Sequence, residues 1–76
     1  MRSGRITDTE KLFKTKLRQL RELHGYSKYA IAKMLGISYS YYHNIENEEK
    51  KVMPNFEVME KIAEIYQVGV SDLYQE

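Results

Sequence analysis

The sequence contains no cysteine and no tryptophan, and it has only one proline and four glycines among its 76 residues. Without cysteine, neither a disulfide nor a thiolate metal site can support the fold, so stability must come from the packing of the chain. No apolar run reaches the ~18 residues of a membrane span, and the start lacks the apolar segment of a signal peptide. We therefore expect a cytoplasmic protein with no membrane association.

The length and the polar residues also argue against catalysis. A chain of 76 residues makes one domain with too little core for a deep enzyme pocket. His24 and His43 have no paired nucleophile nearby in sequence, no glycine-rich phosphate loop is present, and metal-ligand spacing is missing. We therefore expect no enzyme, no metal site and no cofactor.

The net charge of +1 argues, taken alone, weakly against nucleic acid as a partner. Its distribution is more informative, because residues 1–28 carry eight Lys and Arg against three acids, whereas residues 29–76 carry four against eight. This asymmetry suggests a basic side and an acidic side of the molecule. Two ordinary solvated helix faces would give the same counts.

Residues 27–46, SKYAIAKMLGISYSYYHNIE, hold two short amphipathic helical patterns separated by a single glycine. Ser27 and Ser38 are each placed to cap the helix that follows. The Gly-Ile-Ser at 36–38 is just long enough to end one helix, reverse direction and start the next. This pattern predicts a helix-turn-helix, the usual way to hold one helix across another and present it to a DNA groove.

Helical patterns on both sides of this unit predict its scaffold. Thr7 to Glu10 has the spacing of a capping box, and Gly25 ends the helix that follows. The predicted apolar stripe of this first helix comprises Phe13, Leu17, Leu20 and either His24 or Leu23, and its flanks carry Lys11, Lys14, Lys16 and Arg18. The predicted stripe of the fourth helix comprises Phe56, Met59, Ile62, Ala63 and Tyr66.

A short terminal turn or helix is predicted from Ser71. No strand-like alternation of useful length is present in the sequence. We therefore expect an all-α fold of five short helices, with a polar N-terminal arm at residues 1–8 and a single domain at residues 9–76.

From Leu17 to Leu73 the chain resembles the phage-repressor and Cro class of helix-turn-helix proteins, the XRE family. The resemblance rests on LRQLRELHGYS, AIAKMLGIS, HNIE and MPNFEVMEKIAEIYQVGVSDL, in this order and spacing. It implies a lambda-repressor-like DNA-binding domain that is encoded by a prokaryotic cell, a phage or a mobile element.

The resemblance also implies roles for individual positions. Arg21 and Glu46 match an Arg–Glu pair that ties the first helix to the end of the recognition helix. Lys28 matches the residue at the start of the second helix that touches a DNA phosphate. The positions at which the family reads base edges are occupied by Tyr39, Ser40, His43 and Asn44.

The chemistry of these side chains suits DNA contacts. Asn44 can pair bidentately with adenine, and His43 can donate to guanine N7 or to a phosphate. Tyr41, nearer the flank, is better placed for a phosphate than for a base. We expect Tyr42 to be buried, since its position is normally a buried aliphatic residue.

The loop after the third helix departs from the family pattern. It is about two residues longer than usual, and Glu48 occupies the place of a customary glycine, so Asn47 is expected to take the left-handed conformation instead. We expect Lys50 and Lys51 to contact the DNA backbone, although the neighbouring glutamates repel phosphates. Arg2 and Arg5 form either an arm that enters a minor groove or crosses the backbone, or a frayed and solvated terminus.

These features predict a sequence-specific regulator of transcription that binds double-stranded DNA, namely a repressor acting as a dimer on a palindromic operator. A dimer is expected because one domain of this size reads only about four or five base pairs. The candidate dimer surface, which would equally serve to close the core, comprises Val68, Val70, Leu73 and Tyr74. The alternatives are an antitoxin or a protein-interaction module with the same fold, or an RNA-binding protein. A regulatory protein partner is a further expectation.

Overall fold

The computed structural model describes residues 6–75, which form four α-helices and a C-terminal 3-10 helix. The elements are α1 (Asp8–Leu23), α2 (Lys28–Leu35), α3 (Tyr39–Glu46), α4 (Phe56–Tyr66) and the 3-10 helix (Val70–Tyr74). The described residues contain no strand. The all-α prediction is therefore confirmed, except that the fifth helix is a 3-10 helix that begins at Val70 instead of Ser71.

Each α-helix begins after a residue whose side chain accepts a hydrogen bond from a backbone N–H of the first turn. Thr7 Oγ1 accepts from Glu10 N at 3.1 Å and the Glu10 carboxylate accepts from Thr7 N at 2.8 Å, which confirms the capping box. Ser27, Ser38 and Asn55 cap α2, α3 and α4 with distances of 3.0, 3.1 and 2.9 Å. Caps of this kind contribute about 1 kcal/mol each.

The prediction that Asn47 adopts the left-handed conformation is wrong. Asn47 has φ −75° and ψ 116°, so the chain leaves α3 in an extended conformation. Its side chain accepts a hydrogen bond from Glu49 N at 2.9 Å, and its carbonyl accepts one from Lys50 N at 3.1 Å. The loop therefore makes its own turn after α3. The non-glycine residue with positive φ among the described residues is Gln67, at the end of α4.

A single hydrophobic core lies where α1, the helix-turn-helix, α4 and the 3-10 helix meet. Its buried apolar side chains are Phe13, Leu17, Ile31, Ala32, Leu35, Tyr42, Ile45, Val58, Met59, Ile62, Ala63, Tyr66 and Leu73. The predicted stripe of α1 is confirmed for Phe13 and Leu17, which are fully buried. Leu20 packs against this core with partial exposure.

Three candidates for the predicted apolar stripes are exposed. Leu23 is 79% exposed, because about 100° of rotation per residue carries it roughly a quarter turn away from the stripe of α1. His24, the other candidate for that position, is also exposed and forms the C-cap of α1. Phe56 is 69% exposed, since it opens α4 at the edge of the stripe, and Val58 takes a core position instead.

The C-terminal residues proposed as a dimer surface mainly close the core. Leu73 is 0% exposed, so its prediction as a surface contact is wrong: the 3-10 helix packs it inward against the other helices. Val68, Val70 and Tyr74 are half-buried against the core, and the Tyr74 ring stacks on Phe13 with 5.4 Å between ring centroids.

No helix within residues 6–75 combines the length and the apolar character needed to cross a membrane.

Candidate nucleic-acid interface

The turn between α2 and α3 is built on Gly36. Gly36 has φ 73°, a left-handed conformation that costs a residue with a side chain about 1–2 kcal/mol. The N–H of Ile37 then donates to Ala32 O at 3.0 Å, which closes the end of α2. Because Ile37 is half-buried against the core and Ser38 caps α3 at once, the crossing of the two helices is fixed within three residues.

The inner face of α3 is firmly buried. Tyr42 and Ile45 are fully buried, which confirms the prediction for Tyr42, and Glu46 is only 6% exposed. The other side of the helix faces solvent: Tyr39 and Ser40 are exposed, and Tyr41, His43 and Asn44 are half-buried. The residues expected to read bases therefore share one accessible side of α3, and Tyr41 partly packs against the core.

His43 lies at the junction of α2 and α3. Its Nδ1 is 3.2 Å from Nζ of Lys28, the first residue of α2. An ammonium group can only donate, so Nδ1 acts as the acceptor and a neutral imidazole then carries its proton on Nε2. The His43 ring also stacks on Tyr39, with 6.0 Å between centroids. This arrangement leaves an N–H donor at Nε2, the type of group that pairs with guanine N7 or a phosphate oxygen.

The contact expected between Arg21 and Glu46 is present. Arg21 Nε and Nη2 donate to the two carboxylate oxygens of Glu46 at 2.7 and 3.2 Å, while Nη1 donates to Tyr26 O at 2.9 Å. The Tyr42 hydroxyl donates to the same carboxylate at 2.5 Å. Burial, followed by the bond to Glu46, raises the pKa of Tyr42. The end of α3 is thereby tied to α1 and to its own buried tyrosine.

Lys14 makes a second tie that the sequence analysis missed. It was expected on a flank of the apolar stripe of α1, but it is 0% exposed. Its Nζ donates to the carbonyl oxygens of Asn44, Ile45 and Val52, at 3.1, 2.7 and 2.6 Å. A signal was available, because Lys14 lies seven residues before Arg21 and seven residues are close to two helical turns. The two cations therefore share one face of α1.

The loop between α3 and α4, residues 47–55, is also attached to α1. Glu48 Oε2 accepts from Thr15 Oγ1 at 3.1 Å and from Arg18 Nη1 at 3.3 Å. Lys51 forms an ion pair with Glu10 at 3.0 Å. Lys50 is exposed. Arg18 thus offsets the charge of Glu48, which removes part of the repulsion between the loop and a phosphate.

An open groove of about 610 Å³ runs between the end of α1, the end of α3 and the loop. Charged side chains of both signs line it, and Lys28 and His43 are among its lining residues. Among the described residues, no cluster of His, Cys, Asp and Glu is arranged to hold a metal ion. Arg2 and Arg5, the candidate arm contacts, lie outside the described residues.

Comparison with known proteins identifies the fold. A protein-family model described as helix-turn-helix matches residues 17–73. No curated protein sequence matches the chain.

Two solved structures are similar over most of the chain. The restriction-modification controller protein C.AhdI from Aeromonas hydrophila is 25% identical, with a TM-score of 0.72, over 88% of this chain and 97% of that one. The N-terminal DNA-binding domain of SinR from Bacillus subtilis is 27% identical, with a TM-score of 0.75, over 87% of this chain and 94% of that one. The family model covers three quarters of the sequence, and the turn at Gly36 and the outward face of α3 have the geometry that this family requires. The chain therefore belongs to the XRE-type helix-turn-helix family of DNA-binding transcription regulators.

Proposed function

We propose that this protein is a repressor that binds a palindromic operator in double-stranded DNA as a dimer, with α3 in the major groove. The observation that carries the proposal is the two-sided character of α3. Its inner residues Tyr42 and Ile45 are fully buried, while Tyr39, Ser40, His43 and Asn44 remain accessible on the other side. A helix fixed in this way can present side chains to base edges without first having to become ordered.

Four residues of α3 read the operator under this proposal. Asn44 pairs with the N6 and N7 positions of an adenine, and His43 donates from Nε2 to guanine N7 or a phosphate. Ser40 is a short donor and acceptor that adapts to either kind of base pair. Tyr39 lies against a thymine methyl group or reaches a phosphate with its hydroxyl.

The flanking residues hold the DNA backbone. Lys28 begins α2 and has two ammonium protons left after its bond to His43. Lys50 is exposed on the loop, Tyr41 is accessible at the flank of α3, and Lys51 exchanges its ion pair with Glu10 for a phosphate. The proposed arm contacts are Arg2 and Arg5. The lysine and arginine side chains of this set supply affinity without sequence preference.

Dimer formation supplies the remaining discrimination between the operator and other DNA. Two copies bind half-sites about one helical turn apart, so operator symmetry mirrors the symmetry of the protein. Val68, just before the 3-10 helix, and Val70 and Tyr74, its first and last residues, retain partial exposure and form the proposed contact between copies. The similarity to a restriction-modification controller protein supports a regulatory role. Such a regulator acts in the cytoplasm of a prokaryotic cell, where its operator lies.

Selection of binding sites from a random duplex pool tests the proposal. The selected duplex should be palindromic and should bind ~10³-fold or more tightly than random duplex, with affinity that falls steeply as salt rises. The mass of the complex should correspond to two chains on one duplex. The operator placed over a reporter promoter should lower transcription when the protein is present.

Two outcomes would overturn the proposal. Equal affinity for selected and random duplexes would remove sequence-specific binding. Salt-insensitive capture of a protein partner, with no preference for any duplex, would indicate an interaction module or the DNA-binding half of an antitoxin instead.

A further inference from the structure

We propose that Lys14 is a positioning residue for DNA recognition: from the protein interior it sets the position of the C-terminal half of α3, and with it the discrimination between operator and random DNA. The inference rests on the proposed function. It assigns to Lys14 a role without any contact to DNA, because the side chain is fully buried.

Nζ of Lys14 has a hydrogen-bond acceptor for each of its three protons. Three carbonyl oxygens, those of Asn44, Ile45 and Val52, accept from it within 3.1 Å. A charged ammonium has three protons, whereas a neutral amine has two, so three such bonds require the protonated form. The three acceptors come from two segments of chain, the last turn of α3 and the loop that follows it.

Two of these carbonyls belong to the last turn of α3, where the helix no longer supplies every carbonyl with an i+4 N–H donor, although that of Asn44 also accepts from Asn47 N at 3.3 Å. A cation is favourable there because the C-terminal end of a helix carries partial negative charge. Burial lowers the pKa of Lys14, and the nearby Glu10 carboxylate acts in the opposite direction. The three carbonyl acceptors are therefore what allows a charge to remain in the interior.

Residues of α1 on either side of Lys14 also hold the α3–α4 loop against α1. Glu48 of the loop binds Thr15 and Arg18, and Lys51 of the loop binds Glu10. The loop is thus held at three points by one face of the first helix. Lys14 is the only one of these points that also reaches α3 among the described contacts.

Lys14 precedes residues 17–73, the part of the chain that the helix-turn-helix model matches. The family match therefore assigns no role to Lys14. The attachment coincides with the α3–α4 loop, which the sequence indicates to be longer than usual. Lys14 thus joins this loop to the backbone of the last turn of α3, in addition to the side-chain tie between Arg21 and Glu46.

Asn44 connects this attachment to base reading. Its carbonyl is bound by Lys14, while its side chain is on the accessible side of α3 and is a proposed reader of adenine. A bidentate contact tolerates little displacement of its backbone. Loss of Lys14 should therefore weaken binding to the operator more than binding to random DNA.

The test compares Lys14→Met with Lys11→Met. Both variants remove one lysine from α1, but Lys11 is exposed. Dissociation constants are measured for the selected duplex and for random duplex at several salt concentrations. For Lys14→Met, the affinity ratio between the two duplexes should fall by about tenfold or more, the size expected for one lost base contact. The slope of affinity against salt should not change, because no phosphate contact is removed. Lys11→Met should leave the ratio unchanged.

An unchanged affinity ratio between the two duplexes in folded Lys14→Met overturns the inference. A reduced salt slope with an unchanged ratio also overturns it, because that result would indicate a lost phosphate contact. If the Met variant does not fold, Lys14→Arg takes its place. The larger guanidinium cannot converge on three carbonyls in an enclosed site without moving one of them, so its ratio should also fall.

A second measurement separates this inference from the proposed function. Hydrogen exchange on the free protein should show that Lys14→Met, or Lys14→Arg, loses protection mainly in the last turn of α3 and the loop. Equal loss in all helices would indicate a merely structural residue and overturn the inference. If wild-type protein shows no duplex preference, the proposed function fails, and hydrogen exchange still decides whether Lys14 positions α3.

Discussion

At the scale of single residues, Glu46 shows how one carboxylate can fix a helix. It accepts from Arg21 in α1 and from the Tyr42 hydroxyl one turn earlier in α3, and its side chain is almost fully buried. A buried carboxylate is costly unless its oxygens are bonded, and here both oxygens have donors. The ion pair therefore serves to specify one position of α3 relative to α1.

Glu46→Gln should lower the free energy of unfolding by about 3–5 kcal/mol, because it leaves the largely buried Arg21 charge without its partner. Urea denaturation measures the change. The matched control is Glu48→Gln, since Glu48 pairs with Arg18 at side-chain exposures near 40%. An ion pair as exposed as this one contributes less than about 1 kcal/mol. Equal losses in the two variants would contradict the buried-pair account.

Buried tyrosines make the fold sensitive to alkaline pH. Burial raises the pKa of Tyr66 from 10.0 to about 12, and burial also raises the pKa values of Tyr42 and Tyr74. Unfolded tyrosines lose their protons near pH 10, so between pH 10 and 12 the unfolded state binds fewer protons and stability falls as pH rises. The lowered pKa of Lys14 has the opposite effect on the pH dependence of stability, because for this group the unfolded state binds more protons. Lys14 is one group, however, whereas three tyrosines have raised pKa values.

We therefore expect tyrosinate absorbance of the buried residues to appear together with the loss of helical circular dichroism above pH 10. A Tyr66→Phe variant should lose part of this alkaline sensitivity. Full titration of all tyrosines near pH 10 with the helices intact would show that the phenols are not buried as described.

At the scale of elements, the turn between α2 and α3 depends on one backbone conformation. Gly36 is left-handed, and a Cβ added to it would meet no atom within 4 Å. Any destabilisation by a side chain at this position must then come from the backbone itself and not from a clash. This separates the strain of the turn from the packing of the two helices.

Gly36→Ala should lower the free energy of unfolding by about 1–2 kcal/mol. Gly69→Ala is the matched control, because Gly69 has φ −78° and an added Cβ would lie 3.3 Å from the tip of Asp72. At a compatible φ, the change from glycine to alanine is expected to be small and can be stabilising. Thermal unfolding measures the stability of both variants relative to wild type. A Gly36→Ala variant as stable as wild type would contradict the left-handed turn.

The elements could be predicted from sequence because their signals are local. Ser27, Ser38 and the Thr7 capping box mark helix starts through contacts three residues away, and all three are present. The acceptors of Lys14 could not be predicted in this way, since they are about thirty or more residues distant in the chain. Phe56 and Leu73 differ from expectation for a similar reason. Which apolar residue faces the core depends on neighbouring helices and not on hydrophobicity alone.

At the scale of the whole molecule, the charge asymmetry of the sequence has a partial counterpart in the structure. An exposed stretch of α4 carries Glu57, Glu60 and Glu64 around Lys61. Lys28 lies instead beside His43, at the start of α2 and next to α3. A negative face on α4 and a cation beside α3 favour one orientation of the protein on a polyanion. The outward side of α3 is the side proposed to enter the groove.

The most direct test of that orientation is the binding of Asn44→Ala and Lys28→Ala to the selected operator and to each of its single-base variants. Asn44→Ala should cost about 1–3 kcal/mol and abolish the preference at one base pair in each half-site, while Lys28→Ala should weaken all duplexes alike and reduce the salt slope by about 1. If Asn44→Ala keeps every base preference of the wild type, α3 does not read the major groove in the proposed way.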